Sequence, residues 1–420
     1  MAAKKSGRPW IFYGWINVGI FFIMSLVTWG PQYSFGVFFK PLAEEFGWGR
    51  GETSGAMTLS LIVGGSVGSL GGWLSDRYGP RKVMSGCGIL IGAGYLLLAH
   101  LGAAWQLYLW YGLVIGLGMS TAYIVPAATA SRWFVARRGL GLGITLMGMS
   151  ASQILIPPLV ALAIGFMGWR NTYTWIGVSV LVVVLFLASF LRKAPEDYGL
   201  HPDGKESAPV SAAGSGGAAM EGFTLKQCVR FPAFWLIFGL WILLSLPVFV
   251  TLVQVVPLAT DVHVGKLEAA VILSVIGISG IGGRFIFGYM SDRWGGRTSA
   301  ATGMGLVAFA MVAMMFAGSA MSFYVIAVFF GLGYTGGDTA LVKLSGDFFG
   351  RRYIGAVMGL LGLGWRIGAS IGALVGGIIF DLTQKYQVSF AVGAFCATLG
   401  LALVFVVFRL KPRMETKRAG

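Results

Sequence analysis

Apolar stretches of about 20 residues recur along this chain from end to end, and they restrict its fold more than any other feature. A helix of that length crosses the hydrocarbon core of a bilayer, which is about 30 Å thick. Only 11% of the residues are charged, against about 25% in a soluble domain. The sequence therefore predicts an all-α polytopic membrane protein. Its twelve transmembrane helices are expected at residues 11–39, 53–75, 83–103, 106–134, 139–167, 171–191, 231–260, 267–291, 298–318, 321–349, 353–382 and 388–409.

A segment rich in glycine, serine, proline and charge interrupts this pattern in the middle of the chain. It occupies residues 193–230 and separates six predicted helices in residues 1–192 from six in residues 231–420. This composition is typical of a flexible linker. Because each part has an even number of helices, both termini are expected on the same face as the linker.

The basic residues are distributed very unevenly between the two faces. Loops on the face with the termini and the linker hold 22 lysines and arginines, and those on the opposite face hold five. The positive-inside rule therefore predicts a plasma (inner) membrane protein with cytoplasmic N- and C-termini. The net charge of +15 is explained by this orientation, and nucleic acid is not expected as a partner.

Parts of the first half recur in the second half. The pattern Gly-x-x-x-Asp-Arg-x-Gly-x-Arg occurs at residues 72–81 and again at 288–297, an offset of 216 residues. Two shorter matches have nearly the same offset, and they pair residues 116–118 with 331–333 and residues 137–138 with 351–352. Three matches in one register predict two pseudo-symmetric six-helix bundles, an architecture in which substrate binds between the halves.

The repeated motif is also the signature of the major facilitator superfamily, which the chain resembles over essentially its whole length. Residues 32–41, 133–148 and 195–204 resemble the branch that contains monocarboxylate transporters and bacterial oxalate–formate antiporters. The resemblance implies a monomeric secondary transporter that works by alternating access. We expect no cofactor, since no metal-ligand spacing occurs among the cysteines or elsewhere.

Each copy of the motif contains an aspartate and two arginines at the end of a predicted helix, after residues 53–75 in the first half and 267–291 in the second. We interpret them as cytoplasmic gating latches that break and re-form as the halves rock. The alternative is that they serve only membrane orientation and loop solubility. The residues concerned are Asp76, Arg77, Arg81, Asp292, Arg293 and Arg297.

Arg284 lies in the middle of the predicted helix at residues 267–291. A charge at that depth is costly unless it faces a partner, a cavity or a ligand. Its counterpart in the first half is Gly68, which would leave empty space opposite the guanidinium. An arginine binds both oxygens of a carboxylate and stays charged when water is removed. We therefore predict a carboxylate site at Arg284, with a structural pair to Asp338 as the alternative.

The site departs from the family pattern at one position. The resemblance to monocarboxylate transporters implies an aspartate four residues before the arginine, and this chain has Gly280 there. Asp338 is the only acid well inside a predicted helix and becomes the candidate for proton coupling. A structural pair between Asp338 and Arg366 remains open. The resemblance to oxalate–formate antiporters implies a second cation at Trp365, one residue from Arg366.

Further polar residues at similar depth complete the predicted substrate site: Tyr33, Tyr123, Gln153, Tyr334 and Arg366. The leading interpretation is proton-coupled transport of a small monocarboxylate such as L-lactate or pyruvate. Oxalate–formate exchange is the alternative, and a transporter-like nutrient sensor is disfavoured by the short tails. The sequence has no phosphate-binding loop for an ATP-driven pump and no hydrolase pattern, so an enzyme is not expected.

Overall fold

The computed structural model describes residues 12–134, 137–198, 201, 203, 223–350 and 354–410, without the side chains of residues 69, 76, 138, 139, 354–356 and 410. The regular elements of this part of the chain are helical. Its α-helices are α1 Tyr13–Tyr33, α2 Phe35–Phe46, α3 Arg50–Tyr78, α4 Pro80–Leu98, α5 Ala104–Leu107, α6 Gly116–Met119, α7 Ile124–Trp133, α8 Arg138–Ala188, α9 Leu225–Cys228, α10 Pro232–Asp261, α11 Lys266–Met314, α12 Ala320–Phe349, α13 Ile354–Thr383 and α14 Tyr386–Val407. A π-helix, Tyr108–Ile115, joins α5 to α6, and 3₁₀ turns occupy Glu196–Tyr198 and Phe408–Leu410.

The described helices provide the twelve predicted membrane crossings. Nine helical stretches are long and apolar enough to span a bilayer. Two of them, α8 and α11, turn back on themselves and so supply two legs each. The last leg is α3, whose many glycines and serines lower its hydropathy but whose 29 residues are long enough to cross.

The turns inside α8 and α11 each depend on one glycine with a positive φ. These are Gly168, with φ 78°, and Gly295, with φ 85°. Gly295 belongs to the second copy of the repeated motif. The equivalent glycine of the first copy is Gly79, which has φ 84° and lies between α3 and α4. A side chain is strongly disfavoured in this region of φ, which explains why both copies of the motif carry glycine there. The equivalent turns support the internal repeat.

The core is divided between the two halves of the chain. One cluster of buried apolar side chains draws on residues 20–191, with Val253 and Ala373 added from the second half. Another lies wholly within residues 228–407. The halves meet where α3 packs on α13 and α8 packs on α11. The exact boundaries at residues 192 and 231 stay a prediction, because much of the segment between them lies outside the described residues.

The helices of the bundle begin and end at two opposite faces. The terminal face is the end where α1 begins and α14 ends. The distal face is the opposite end, where α2 ends and α3 begins.

Candidate functional site

Arg284 is exposed, and it interacts electrostatically with residues of both halves. It interacts electrostatically with Tyr33 at the end of α1 and with Tyr123 just before α7, both in the first half. It interacts in the same way with Tyr334 and Asp338 of α12. Four of the residues predicted for the substrate site or proton coupling thus lie within electrostatic range of this one cation.

A hydrogen bond joins the halves beside this group. The Tyr334 hydroxyl donates to Oε1 of Gln153 at 3.4 Å. Gln153 belongs to the first half and is only 3% exposed. Its Nε2 has no hydrogen-bond partner among the described residues. Because Tyr334 and Asp338 are four residues apart on α12, they share one face of that helix.

The absence of an acid next to Arg284 on its own helix has a structural reason. Gly280 packs directly against Thr335, whose Oγ1 donates to the Gly280 carbonyl oxygen at 2.7 Å. A Cβ atom at Gly280 would lie 2.9 Å from the Thr335 Cγ2 atom. A side chain at the position where the resemblance implies an aspartate would therefore displace Thr335. The acid that interacts electrostatically with Arg284 lies instead on α12, as Asp338.

Arg366 contacts the other half of the molecule through the glycines of α3. A Cβ atom at Gly65 would lie 2.7 Å from Cδ of Arg366, and one at Gly68 would lie 3.8 Å from its Nη2. The expectation of empty space at Gly68 was wrong, because Arg366 and Ile124 occupy it. Arg366 interacts electrostatically with Tyr123. Asp338 has Arg284 as its charged neighbour, so the predicted pairing of Asp338 with Arg366 is not among the described contacts.

The predicted latch residues make their described contacts inside one half. Asp292 forms an ion pair with Lys343 of α12. Arg293 donates to the Tyr289 hydroxyl at 2.8 Å, and the Arg297 guanidinium carbon lies 4.8 Å from the centre of the Phe405 ring.

The first-half copy of the motif contains fewer described contacts. The Arg77 guanidinium carbon lies 5.4 Å from the centre of the Trp73 ring, and Arg81 is exposed. The Asp76 side chain lies outside the described residues. A latch role for these six residues stays a prediction.

A charged cluster on the distal face was not foreseen from the sequence. Lys40 and Arg50 of the first half form ion pairs with Asp261 of the second, at 2.6 Å and 2.8 Å. Asp381 accepts hydrogen bonds from the backbone of Arg50 and Gly51. The signal in the sequence was slight: these acids end two predicted helices in loops that hold few charges.

Comparisons with known proteins agree with this architecture. A family model described as the Major Facilitator Superfamily matches residues 20–327 and 283–420. Monocarboxylate transporter 13 of Bos taurus is 28% identical over 386 residues, which cover 91% of this chain and 87% of that protein. An uncharacterised MFS-type transporter of Bacillus subtilis (strain 168), YcxA, is 26% identical over 96% of both chains.

Monocarboxylate transporter 11 of Homo sapiens is 28% identical over 70% of this chain, and the match spans only 59% of that protein's length. Among solved structures, a bacterial homologue of the human lysosomal transporter Spinster, inward-facing and unoccupied, superposes with a TM-score of 0.78. It covers 97% of this chain and 98% of its own at 14% identity, which establishes a shared fold. With its twelve helical legs, repeated motif and family match, the chain belongs to the major facilitator superfamily.

Proposed function

We propose that the chain transports small monocarboxylates such as L-lactate and pyruvate together with a proton, by alternating access of the site at Arg284. The observation that carries this proposal is the position of Arg284 between the halves, with Asp338 and three tyrosines around it. The relatives named monocarboxylate transporters support the same substrate class.

The chemistry of the site suits one carboxylate. The guanidinium of Arg284 provides two parallel N–H donors, and such charge-assisted hydrogen bonds are strong where water is scarce. Hydroxyl groups of Tyr33, Tyr123 and Tyr334 can donate to the remaining lone pairs, and Gln153 has a free amide donor. Substrate binding by these residues and by Arg366 is part of the proposal.

Charge balance gives Asp338 its role in proton coupling. Without substrate, Arg284 and an ionised Asp338 balance each other. A bound carboxylate adds one negative charge, and a proton on Asp338 removes it again. Because Arg366 carries the same charge in both states, binding of one carboxylate with one proton leaves the net charge of the site unchanged. Since a change of net charge at this depth is costly, the two ligands are coupled.

The unequal numbers of lysines and arginines on the two faces support an orientation in the membrane. We propose that the terminal face is cytoplasmic and that the chain works as a monomer in the plasma (inner) membrane. The motif residues on this face, Asp76, Arg77, Arg81, Asp292, Arg293 and Arg297, would form latches when the terminal ends of the halves approach.

Oxalate–formate exchange is a second candidate, and one observation favours it. Tyr123 interacts electrostatically with both Arg284 and Arg366, so two cations lie within electrostatic range of one hydroxyl. A dicarboxylate with one group on each arginine would need both cations. A monocarboxylate needs only Arg284.

Uptake of labelled lactate and oxalate into proteoliposomes, with and without an imposed pH gradient, tests these proposals. We expect lactate uptake to fall by about 100-fold or more in Arg284→Ala, because the bidentate charged contact is lost. Arg284→Lys should also fail, since lysine offers a point charge without the fork. Arg409→Ala removes an exposed arginine at the end of α14 and should retain wild-type uptake.

The outcomes separate the two candidates. Wild-type lactate uptake in both Arg284 variants would overturn the site. Oxalate uptake that is driven by internal formate and lost in Arg366→Ala would replace the leading proposal with exchange.

A further inference from the structure

One carboxylate of the cluster on the distal face, Asp261, contacts two cations of the other half. Asp261, the last residue of α10, receives Nζ of Lys40 at 2.6 Å and Nη2 of Arg50 at 2.8 Å. The Tyr386 hydroxyl at the start of α14 donates at 2.6 Å to Oδ2 of Asp261, the oxygen that also contacts Arg50. Both cations belong to the first half, whereas the acid and the tyrosine belong to the second. These ion pairs exist only while the distal ends of the halves touch.

A second carboxylate of the second half caps a helix of the first half. The α3 helix begins at Arg50, and Gly49 before it provides no side-chain cap. Asp381 supplies the missing acceptor: its Oδ1 accepts from the Arg50 N–H at 2.7 Å and its Oδ2 from the Gly51 N–H at 2.6 Å. Free N–H groups and the helix dipole make this end of a helix a favourable place for an anion.

The two halves approach each other closely at Gly49. A Cβ atom at Gly49 would lie 2.7 Å from Oδ2 of Asp381. The Arg50 guanidinium carbon lies 3.6 Å from the centre of the Phe380 ring and 4.7 Å from that of Tyr386, so it also makes cation–π contacts across the interface. Its side chain is only 16% exposed, which reduces screening by water and salt.

We propose that Asp261 and Asp381 form the distal gate of the transporter, held shut by Arg50, Lys40 and the first turn of α3. The charge signs are segregated: every cationic partner is on the first half, and both acids are on the second. The gate stabilises the state closed at the distal face, and its contacts must break before Arg284 becomes accessible from that side. This inference requires two-sided access to the site but no particular substrate.

Distances between spin labels on the two halves test the gate without any substrate. Trp105 of the first half and Met321 of the second are exposed near the distal face and can be replaced by cysteine. The native Cys87, Cys228 and Cys396 are first changed to serine or alanine. Double electron–electron resonance then gives the distribution of distances between the two spin labels in the protein without substrate.

We expect a short distal distance to predominate in the labelled parent. In Asp261→Asn/Asp381→Asn, the ratio of the long-distance to the short-distance population should rise at least about tenfold, because several charge-assisted hydrogen bonds are weakened together. Asparagine keeps the shape of the side chains. Arg50→Gln changes the other half of the gate and should shift the distribution in the same direction by a smaller amount, because the Lys40–Asp261 pair and the Asp381 contacts remain. An unchanged distribution in both the double variant and Arg50→Gln would overturn the gate.

Glu45→Gln is the matched control. Glu45 accepts hydrogen bonds from Arg170 and from the Trp169 indole on the same face, and these bonds lower the pKa of its carboxyl below the usual value. All three residues belong to the first half. Loss of this ion pair should therefore leave the distance distribution unchanged, and a shift equal to that of the gate variants would show a nonspecific effect and contradict the assignment.

Discussion

The contact between Gly280 and Thr335 restricts the space on α11 one turn before Arg284. Arg284 and Asp338 could be selected from the sequence as candidates because a charge inside an apolar stretch is rare and costly. Their neighbourhood was not fully predictable, since it depends on helix rotation and on the 2.9 Å approach of Thr335 to a Cβ at Gly280. The contact of Arg366 with Gly65 likewise arises from packing between the halves, which no local pattern in α13 encodes.

The proposed role of Asp338 is testable at the same scale. Asp338→Asn keeps the volume of the side chain but cannot exchange a proton, so we expect lactate uptake into proteoliposomes to lose its stimulation by an imposed pH gradient. Asp347→Asn, on the same helix but exposed near the terminal face, should keep the stimulation. A normal response to the gradient in Asp338→Asn would remove this residue from the coupling mechanism.

Helices were the most predictable elements of the fold, because each apolar stretch had to cross a membrane. The predicted crossings at residues 139–167 and 171–191 became the two legs of α8. The sequence did not show that one residue, Gly168, would be enough to reverse the chain. Its φ of 78° and ψ of 164° lie in a region that is essentially restricted to glycine.

Gly168→Ala should therefore destabilise the protein by about 1–3 kcal/mol, although nothing lies within 4 Å of the added methyl group. The loss would come from the backbone alone. Gly165→Ala provides the control: that position is helical and equally open, and alanine there should be neutral or stabilising by up to about 1 kcal/mol. Thermal unfolding in detergent compares the two, and equal midpoints would contradict the backbone explanation.

For the molecule as a whole, the repeat in the sequence indicated two bundles, and the unequal basic loops indicated their orientation. Which ends of the bundles touch was not predictable. That outcome depends on contacts such as that of Asp261 with Lys40, which join residues more than 200 positions apart in the sequence. Such contacts depend on the tertiary structure, because no local sequence pattern connects their residues.

Labelling from the two sides of the membrane checks the orientation. In a background without native cysteines, Glu44→Cys near the distal face should react with an impermeant maleimide in intact cells. Glu196→Cys, in the turn after the sixth leg, should react only once the membrane is opened. Both positions are exposed, so accessibility within the protein is comparable. The reverse pattern would invert the proposed topology.

The one-residue turn at Gly168 also affects how the membrane acts on the protein. The second leg of α8 presents large apolar side chains outward, including Trp175, Val182 and Phe186. Its first leg contacts the opposite half, where the Ser274 hydroxyl donates to the Ile154 carbonyl oxygen. Because no loop separates the legs, we expect a change in bilayer thickness at the second leg to be transmitted through α8 to the interface between the halves.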